Sequence, residues 1–289
     1  MTSSTWKTAS SLVLISRPAV WFILPAVFFA AAWFSLGAAY YPVQTVLIAL
    51  ALTFPMSLHG YGLNDIYDLA SDRANPRKTI RIQSEKDARI VAIAAHLGGL
   101  IVLAAAATTL EPIPILISIG LVAVSYAYSM PPIRLRVRPP FDSLTNGIGY
   151  FLLPATLGWT LHRPISQLPI DVYAIAIAVS GIHSFASIMD YTPDHAAGDR
   201  TAATVYGKRG AALFCLASMI GCYLLLPFWY PIVGIGLSAL ILIYPNERLA
   251  RFGTYLFYLT FVAIMIAYYY FLFSHRGNPF WAPGALFTR

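Results

Sequence analysis

Nine stretches of this chain are apolar for long enough to cross a lipid bilayer, and that limits the fold before any single residue is weighed. They run near 19–36, 43–63, 90–109, 112–130, 143–161, 170–189, 211–228, 230–246 and 253–273. At about 1.5 Å per helical residue, roughly 20 residues cover the ~30 Å of hydrocarbon. Pro227, Pro231 and Pro245 fall among the last three runs and mark turns or kinks in a nearly continuous apolar stretch. With 58% hydrophobic and only 11% charged residues, the chain reads as an integral membrane protein rather than a soluble domain.

The formal charge of +7 would suit a nucleic-acid binder, but the basic residues fall in short clusters between the apolar runs. That is the pattern of membrane-flanking loops, not of a basic face tracking phosphates, so no nucleic-acid partner is expected. Alternate loops segregate the charge. Lys7, Arg17, Arg73, Arg77, Lys78, Arg81, Lys86, Arg89, Arg134, Arg136, Arg138, Arg200, Lys208, Arg209, Arg248 and Arg251 fall on one predicted side; Arg163, Arg276 and Arg289 fall on the other. The positive-inside rule places the larger set, and the N-terminus, in the cytoplasm of a multi-pass plasma-membrane protein, with the C-terminus outside. The first residues, Met1 to Arg17, carry only six consecutive mostly apolar positions and no small-residue cleavage site, so no cleaved signal peptide is expected. Cys215 and Cys222 are seven residues apart in one apolar run, about 10 Å along a helix, and read as packing residues that cannot bridge.

Acids are costly near membrane helices, at about 2.5–3.5 kcal/mol each at the centre of a span, yet six of the twelve gather in two segments. Asp65, Asp68 and Asp72 follow the second run; Asp190, Asp194 and Asp199 follow the sixth. On a helix Asp65, Asp68 and Asp72 fall within about 60° of one another, and Asn64 lies one turn before Asp68. Such a hard-oxygen face suits Mg²⁺, which takes one or two carboxylates and completes its shell with water and substrate phosphate. In the second segment Asp190 and Asp194 are one turn apart, while Pro193 and Gly198 imply a bend or an end that leaves Asp199 unplaced. An offset of 122 superposes Asp68 on Asp190 and Asp72 on Asp194, which suggests two acid-bearing helices facing a shared cavity. The expected fold is therefore all-α: one domain over 1–289, with nine transmembrane helices bundled around a central cavity open to the cytoplasmic side.

Carboxylates this close need counter-ions, and two divalent ions would in turn hold a diphosphate. Arg77, Lys78, Arg200, Lys208 and Arg209 stand ready for its remaining oxygens. His183 and His59 read as packed, hydrogen-bonded residues. Tyr61, Tyr67, Tyr126 and Tyr128 lie near the acids, where a ring face can meet a carbocation.

These residues resemble a known family. The Asn64–Asp72 segment, the Asp190–Asp199 segment and the nine-span topology look like the UbiA-type intramembrane prenyltransferases, over nearly the whole chain. Three stretches look most like the lycopene elongases, a carotenoid prenyltransferase subfamily: Tyr61–Asp65 with its Asn75–Lys78 exit, Arg138–Thr145, and Ala203–Ala211. The resemblance implies Mg²⁺, two ions, held by Asn64, Asp65, Asp68, Asp72, Asp190 and Asp194. It adds Tyr128, Arg134 and Arg17 near the diphosphate, with Asp68, Asp190 and Tyr128 as catalytic residues. Arg134 stands where many members have Lys. The implied reaction moves a dimethylallyl group from its diphosphate to a lipid-soluble acceptor, lycopene, with or without added water. Alternatives are an aromatic, quinone-precursor or glycerol-ether acceptor, or a divalent-cation or phosphate-compound transporter; the transporter fits poorly, because both acid segments lie at the cytoplasmic end rather than near the midplane.

Overall fold

Apolar length decides where the helices lie. The computed structural model describes residues 3–36, 42–74 and 79–274, and among these there are helices and turns but no strand. The helices are α1 (Ser3–Ile15), α2 (Ile23–Leu36), α3 (Val43–Ala51), α4 (Phe54–Tyr67), α5 (Leu69–Ala74), α6 (Glu85–Ala107), α7 (Pro112–Ser129), α8 (Phe141–Gly147), α9 (Leu153–Thr160), α10 (Ile170–Ala186), α11 (Tyr191–Ala197), α12 (Ala202–Leu225), α13 (Trp229–Ile243) and α14 (Glu247–Ser274).

Seven helical stretches are long and apolar enough to cross a membrane: Pro18–Ser35, Val43–Tyr67, Glu85–Ala107, Pro112–Ser129, Ile170–Ala197, Ala202–Leu225 and Glu247–Ala267. Each overlaps one predicted span. The other two predicted spans are helical but interrupted or short. Residues 141–160 form α8, a π turn at Ile148–Leu152 and then α9. The run predicted at 230–246 is α13, whose 15 residues reach only about 22 Å. The described part of the chain is thus that of a multi-pass, all-helical membrane protein, with seven helical stretches of spanning length.

The helices form two compact units, one drawn from Met1–Ser35, Ala39–Leu135 and Leu153–Arg163, the other from Leu36–Ala38, Arg136–Leu152 and Pro164–Arg289. Each unit carries one acid segment.

In the first unit α4 packs on α6 and α7 through small residues and one buried histidine. A Cβ on Gly98 would sit 2.3 Å from the Pro55 carbonyl oxygen, so only glycine permits this approach. His59, fully buried, faces the carbonyl of Ala95 through Nδ1 at 3.0 Å and that of Val122 through Nε2 at 3.2 Å. A neutral ring can donate to either carbonyl, one per tautomer, and so bridges α4 to α6 or α7, which accounts for a histidine in an apolar span without any chemistry. At the end of α2, Arg163 Nε donates to the Ser35 carbonyl at 3.0 Å, satisfying a last-turn acceptor.

In the second unit α10 packs against α8 and α12. The Gly181 position leaves 2.7 Å between a built Cβ and Ser218 Cβ, and α8 comes closer still through Gly147, at 2.3 Å from the Ala176 carbonyl oxygen. Phe185, Ile188, Cys215, Met219, Ile241 and Phe257 form the buried centre of this unit. Both cysteines are free and buried, as packing residues should be. His183 Nδ1 lies 3.2 Å from the Ser143 hydroxyl, joining α10 to α8.

Candidate active site

The first acid segment lies where α4 ends. Asp68 is the residue closing α4, with φ −100° and ψ 1°, and its N–H still reaches the Asn64 carbonyl at 2.9 Å. Asp72 N–H in turn reaches the Asp68 carbonyl at 2.8 Å, so the ladder passes through the break into α5 and the i, i+4 spacing survives. The three carboxylates differ in exposure: Asp68 and Asp72 are buried at 1% and 8%, whereas Asp65 is half-buried.

Two arginines grip this segment from loops with unusual backbones. Arg17 follows α1 at φ 55° and ψ 74°, and Arg134 sits at φ 41°. A non-glycine residue in the left-handed region costs of order 1–2 kcal/mol, and such strain gathers where a side chain must be aimed. Arg17 lies over the Tyr61 ring at 4.1 Å and pairs with Asp65 at 3.2 Å. Arg134 donates from Nη2 to the Tyr67 carbonyl at 3.0 Å and to Asp68 Oδ1 at 3.4 Å, placing its charge at the C-terminal end of α4. Its buried Nε–H has no acceptor among the described residues, so the guanidinium offers a donor that an anionic oxygen could take. Tyr128 is half-buried in the last turn of α7.

The second acid segment is set by a change of helix type. α10 ends at Ala186, a 3₁₀ turn covers Ser187–Asp190, and Asp190 precedes α11, which has Asp194 in its first turn. Gly198, at φ 74°, ends α11 in the left-handed conformation. The bend expected from Pro193 therefore falls just before it, and the end expected at Gly198 falls there. Asp199, which helical geometry left unplaced, lies 4.0 Å from Arg136 Nη2.

The predicted cations are distributed unevenly. Arg17 and Arg134 stand at the first acid segment. Lys208 instead pairs with Glu247 at 2.9 Å and lies over the Tyr191 ring at 4.7 Å, while the Thr192 hydroxyl donates to the same Glu247 oxygen. Arg209 Nε donates to the Leu242 carbonyl at 2.9 Å, at the end of α13. These contacts join α12 to α13 and α14. Arg200 is exposed. Arg77 and Lys78 lie outside the described residues.

No three Asp, Glu, His or Cys side chains among the described residues gather into a ready-made metal cage. Mg²⁺ needs no such cage, because it is held by one or two carboxylates plus substrate phosphate. The candidate donors are hard oxygens in each segment taken by itself: Asn64, Asp65, Asp68 and Asp72 in the first, Asp190 and Asp194 in the second. The donor set therefore fits the ion.

The sequence missed Asp142. It is 1% exposed, and its two carboxylate oxygens accept the N–H of Ser143 at 2.7 Å and of Ala202 at 3.0 Å. An acid opening α8 after Pro139-Pro140 was the visible signal; the partner 60 residues away was not.

A polytopic helical protein with a strained arginine on each of two aspartates at one span end has the parts of an intramembrane enzyme acting on an anionic, lipid-soluble substrate. The UbiA prenyltransferase family matches residues 19–288, and the chain belongs to that family. It is accordingly a membrane-embedded enzyme that transfers prenyl groups. Among its relatives, the lycopene elongase/hydratase of Haloarcula japonica is 28% identical over 240 residues, covering 81% of this chain and 79% of the relative. That of Halobacterium salinarum is 30% identical over 243 residues, covering 81% and 83%. A UbiA homologue from Archaeoglobus fulgidus, solved bound to dimethylallyl diphosphate and Mg²⁺, shares the fold with a TM-score of 0.65 at 18% identity, over 85% of this chain and 86% of that one.

Proposed function

We propose that this prenyltransferase moves a dimethylallyl group from its diphosphate to lycopene, as a lycopene elongase, with or without added water. The observation that carries the diphosphate half of this reading is Arg134, buried at Nε with no acceptor there among the described residues and bonded through Nη2 beside Asp68. The acceptor half is supported by relatives of that activity at about 30% identity along four-fifths of the chain. Both units serve one domain, 1–289, and residues 141–160 and 229–243 complete a nine-span topology in the plasma membrane. The charge segregation supports a cytoplasmic N-terminus and a cytoplasm-facing site.

Asn64, Asp65, Asp68 and Asp72 would hold one Mg²⁺ ion and Asp190 and Asp194 a second; when bound, the metal neutralises charge on the departing diphosphate. The chain's own groups do the rest. Arg17 and Arg134 exchange carboxylate contacts for phosphate oxygens, which is why both are held in strained loops already aimed at the acids. The allylic C–O bond breaks as diphosphate leaves, and a terminal double bond of the acceptor attacks the cation. Ring faces of Tyr61, Tyr67, Tyr126 and Tyr128 stabilise positive charge without offering a nucleophile. The resulting tertiary cation loses a proton or takes up water.

The test is to incubate membranes containing the chain with labelled dimethylallyl diphosphate and to extract the lipids. Label in a carotenoid larger by one or two five-carbon units is the expected result. Label in a quinone or ether lipid overturns the acceptor, and absence of label with every allylic donor overturns the reading.

A further inference from the structure

The stretch Arg138–Thr145 has no part in the chemistry above, yet it holds Asp142, a buried acid bonded to a helix 60 residues away. What it holds is the frame of the second acid segment. That segment is tied at both ends to the first turn of α12. At its start, the Ser187 hydroxyl accepts the Ala203 N–H at 3.0 Å while donating to the Ser184 carbonyl at 2.7 Å. At its end, the Thr204 hydroxyl donates to the Asp199 carbonyl at 2.7 Å, and the Asp199 N–H reaches the Asp194 carbonyl at 2.9 Å. Thr201 and Thr204 close a capping box around the same turn. Residues 187–204 are thus one loop shut on itself, with Asp190 and Asp194 inside it.

The Ala202 N–H is the first of α12, and Asp142 is its acceptor. We propose that Asp142 is a positioning residue for the prenyl-transfer reaction, its carboxylate fixing the closed 187–204 loop and so the attitude of Asp190 and Asp194. The carboxylate is needed as such, because two N–H donors meet its two oxygens. An asparagine supplies one oxygen and turns an amide N–H₂ toward the second donor. This inference rests on the assignment of Asp190 and Asp194 to metal and diphosphate binding.

Asp142→Asn in the full-length protein tests it by two independent readouts. Hydrogen exchange of 198–206 should rise while exchange of 54–67 stays as in the wild type. The Mg²⁺ concentration giving half-maximal prenyl transfer should rise about tenfold, the effect of one lost charge-assisted hydrogen bond, with the rate at saturating Mg²⁺ nearly restored. A residue that only supports the fold would lower the rate at every Mg²⁺ concentration and leave half-saturation unchanged, which overturns the proposal. Unchanged exchange at 198–206 also overturns it, whatever the activity. If Asp142→Asn does not fold, Ser187→Ala opens the same loop at its other tie and should move both readouts the same way by a smaller factor; no movement in either overturns the proposal. A wild-type chain without prenyl transfer contradicts the proposed function instead, and the exchange experiment then still decides whether Asp142 holds the loop.

Discussion

Gly147 is the point where α8, which carries Asp142, comes closest to α10. A Cβ built there would lie 2.1 Å from the Ser180 hydroxyl and 2.3 Å from the Ala176 carbonyl oxygen. The hydroxyl sits on a side chain that can turn, at the loss of its 3.0 Å bond to the Ala176 carbonyl. The carbonyl is helix backbone and cannot move, so Gly147→Ala must push α8 and α10 apart by about 1 Å to reach ordinary contact. Overpacking of this kind costs about 1–3 kcal/mol, and the helix-propensity gain of replacing glycine returns about 1 kcal/mol. Because the contact is with backbone we place the strain at the upper end, for a net loss of about 2 kcal/mol. Gly221, also helical and with nothing within 4 Å of its built Cβ, is the control: Gly221→Ala keeps the propensity gain and meets no strain. Thermal unfolding of purified protein in one detergent should show a lowered midpoint for Gly147→Ala and an equal or raised one for Gly221→Ala. Equal midpoints for Gly147→Ala and wild type, or equal losses for both variants, would refute the reasoning.

Other expectations can be checked with single variants. Arg134→Lys keeps the charge but not a fork able to bond Tyr67 and Asp68 together, so the KM for the allylic diphosphate should rise about tenfold with protein yield unchanged; wild-type KM would contradict the assignment. His162 lies outside the spans and burial holds its imidazole below the usual pKa, so the folded state prefers the neutral ring. Stability should fall as pH drops through about 6.5, where the unfolded chain takes up the proton first, and a melting series from pH 7.5 to 5 should be flatter for His162→Gln. An identical slope in the variant would dismiss that residue as the cause.

How much of this was legible in the sequence follows the range of each interaction. Spans and charge bias are local sums over some twenty residues, so seven predicted runs coincide with full-length helices. The first acid segment was legible for the same reason: i, i+3, i+7 spacing needs only a nearly continuous helix, and the ladder through Asp68 supplies it. Breaks within apolar runs were harder. Nothing in hydropathy distinguishes the π turn at Ile148–Leu152 from regular helix, and the helix α1 before Arg17 is too short to register as a span. Lys208's ion-pair partner Glu247 could not be read from proximity in sequence, since it comes from the start of α14. Asp142 shows the same limit from the other side, because its role appears only once Ala202 is beside it.

The central claim is that carboxylates at two span ends, working with a divalent ion, drive loss of diphosphate from an allylic donor. Its most direct test is diphosphate release from dimethylallyl diphosphate by purified protein with acceptor, with Mg²⁺ and then with excess chelator, for wild type, Asp68→Asn and Asp190→Asn of equal folded yield. Release by wild type that stops with chelator, and loss of at least a hundredfold in each variant, is the predicted outcome. Release that persists without divalent ions, or at wild-type rate in either variant, would contradict the account.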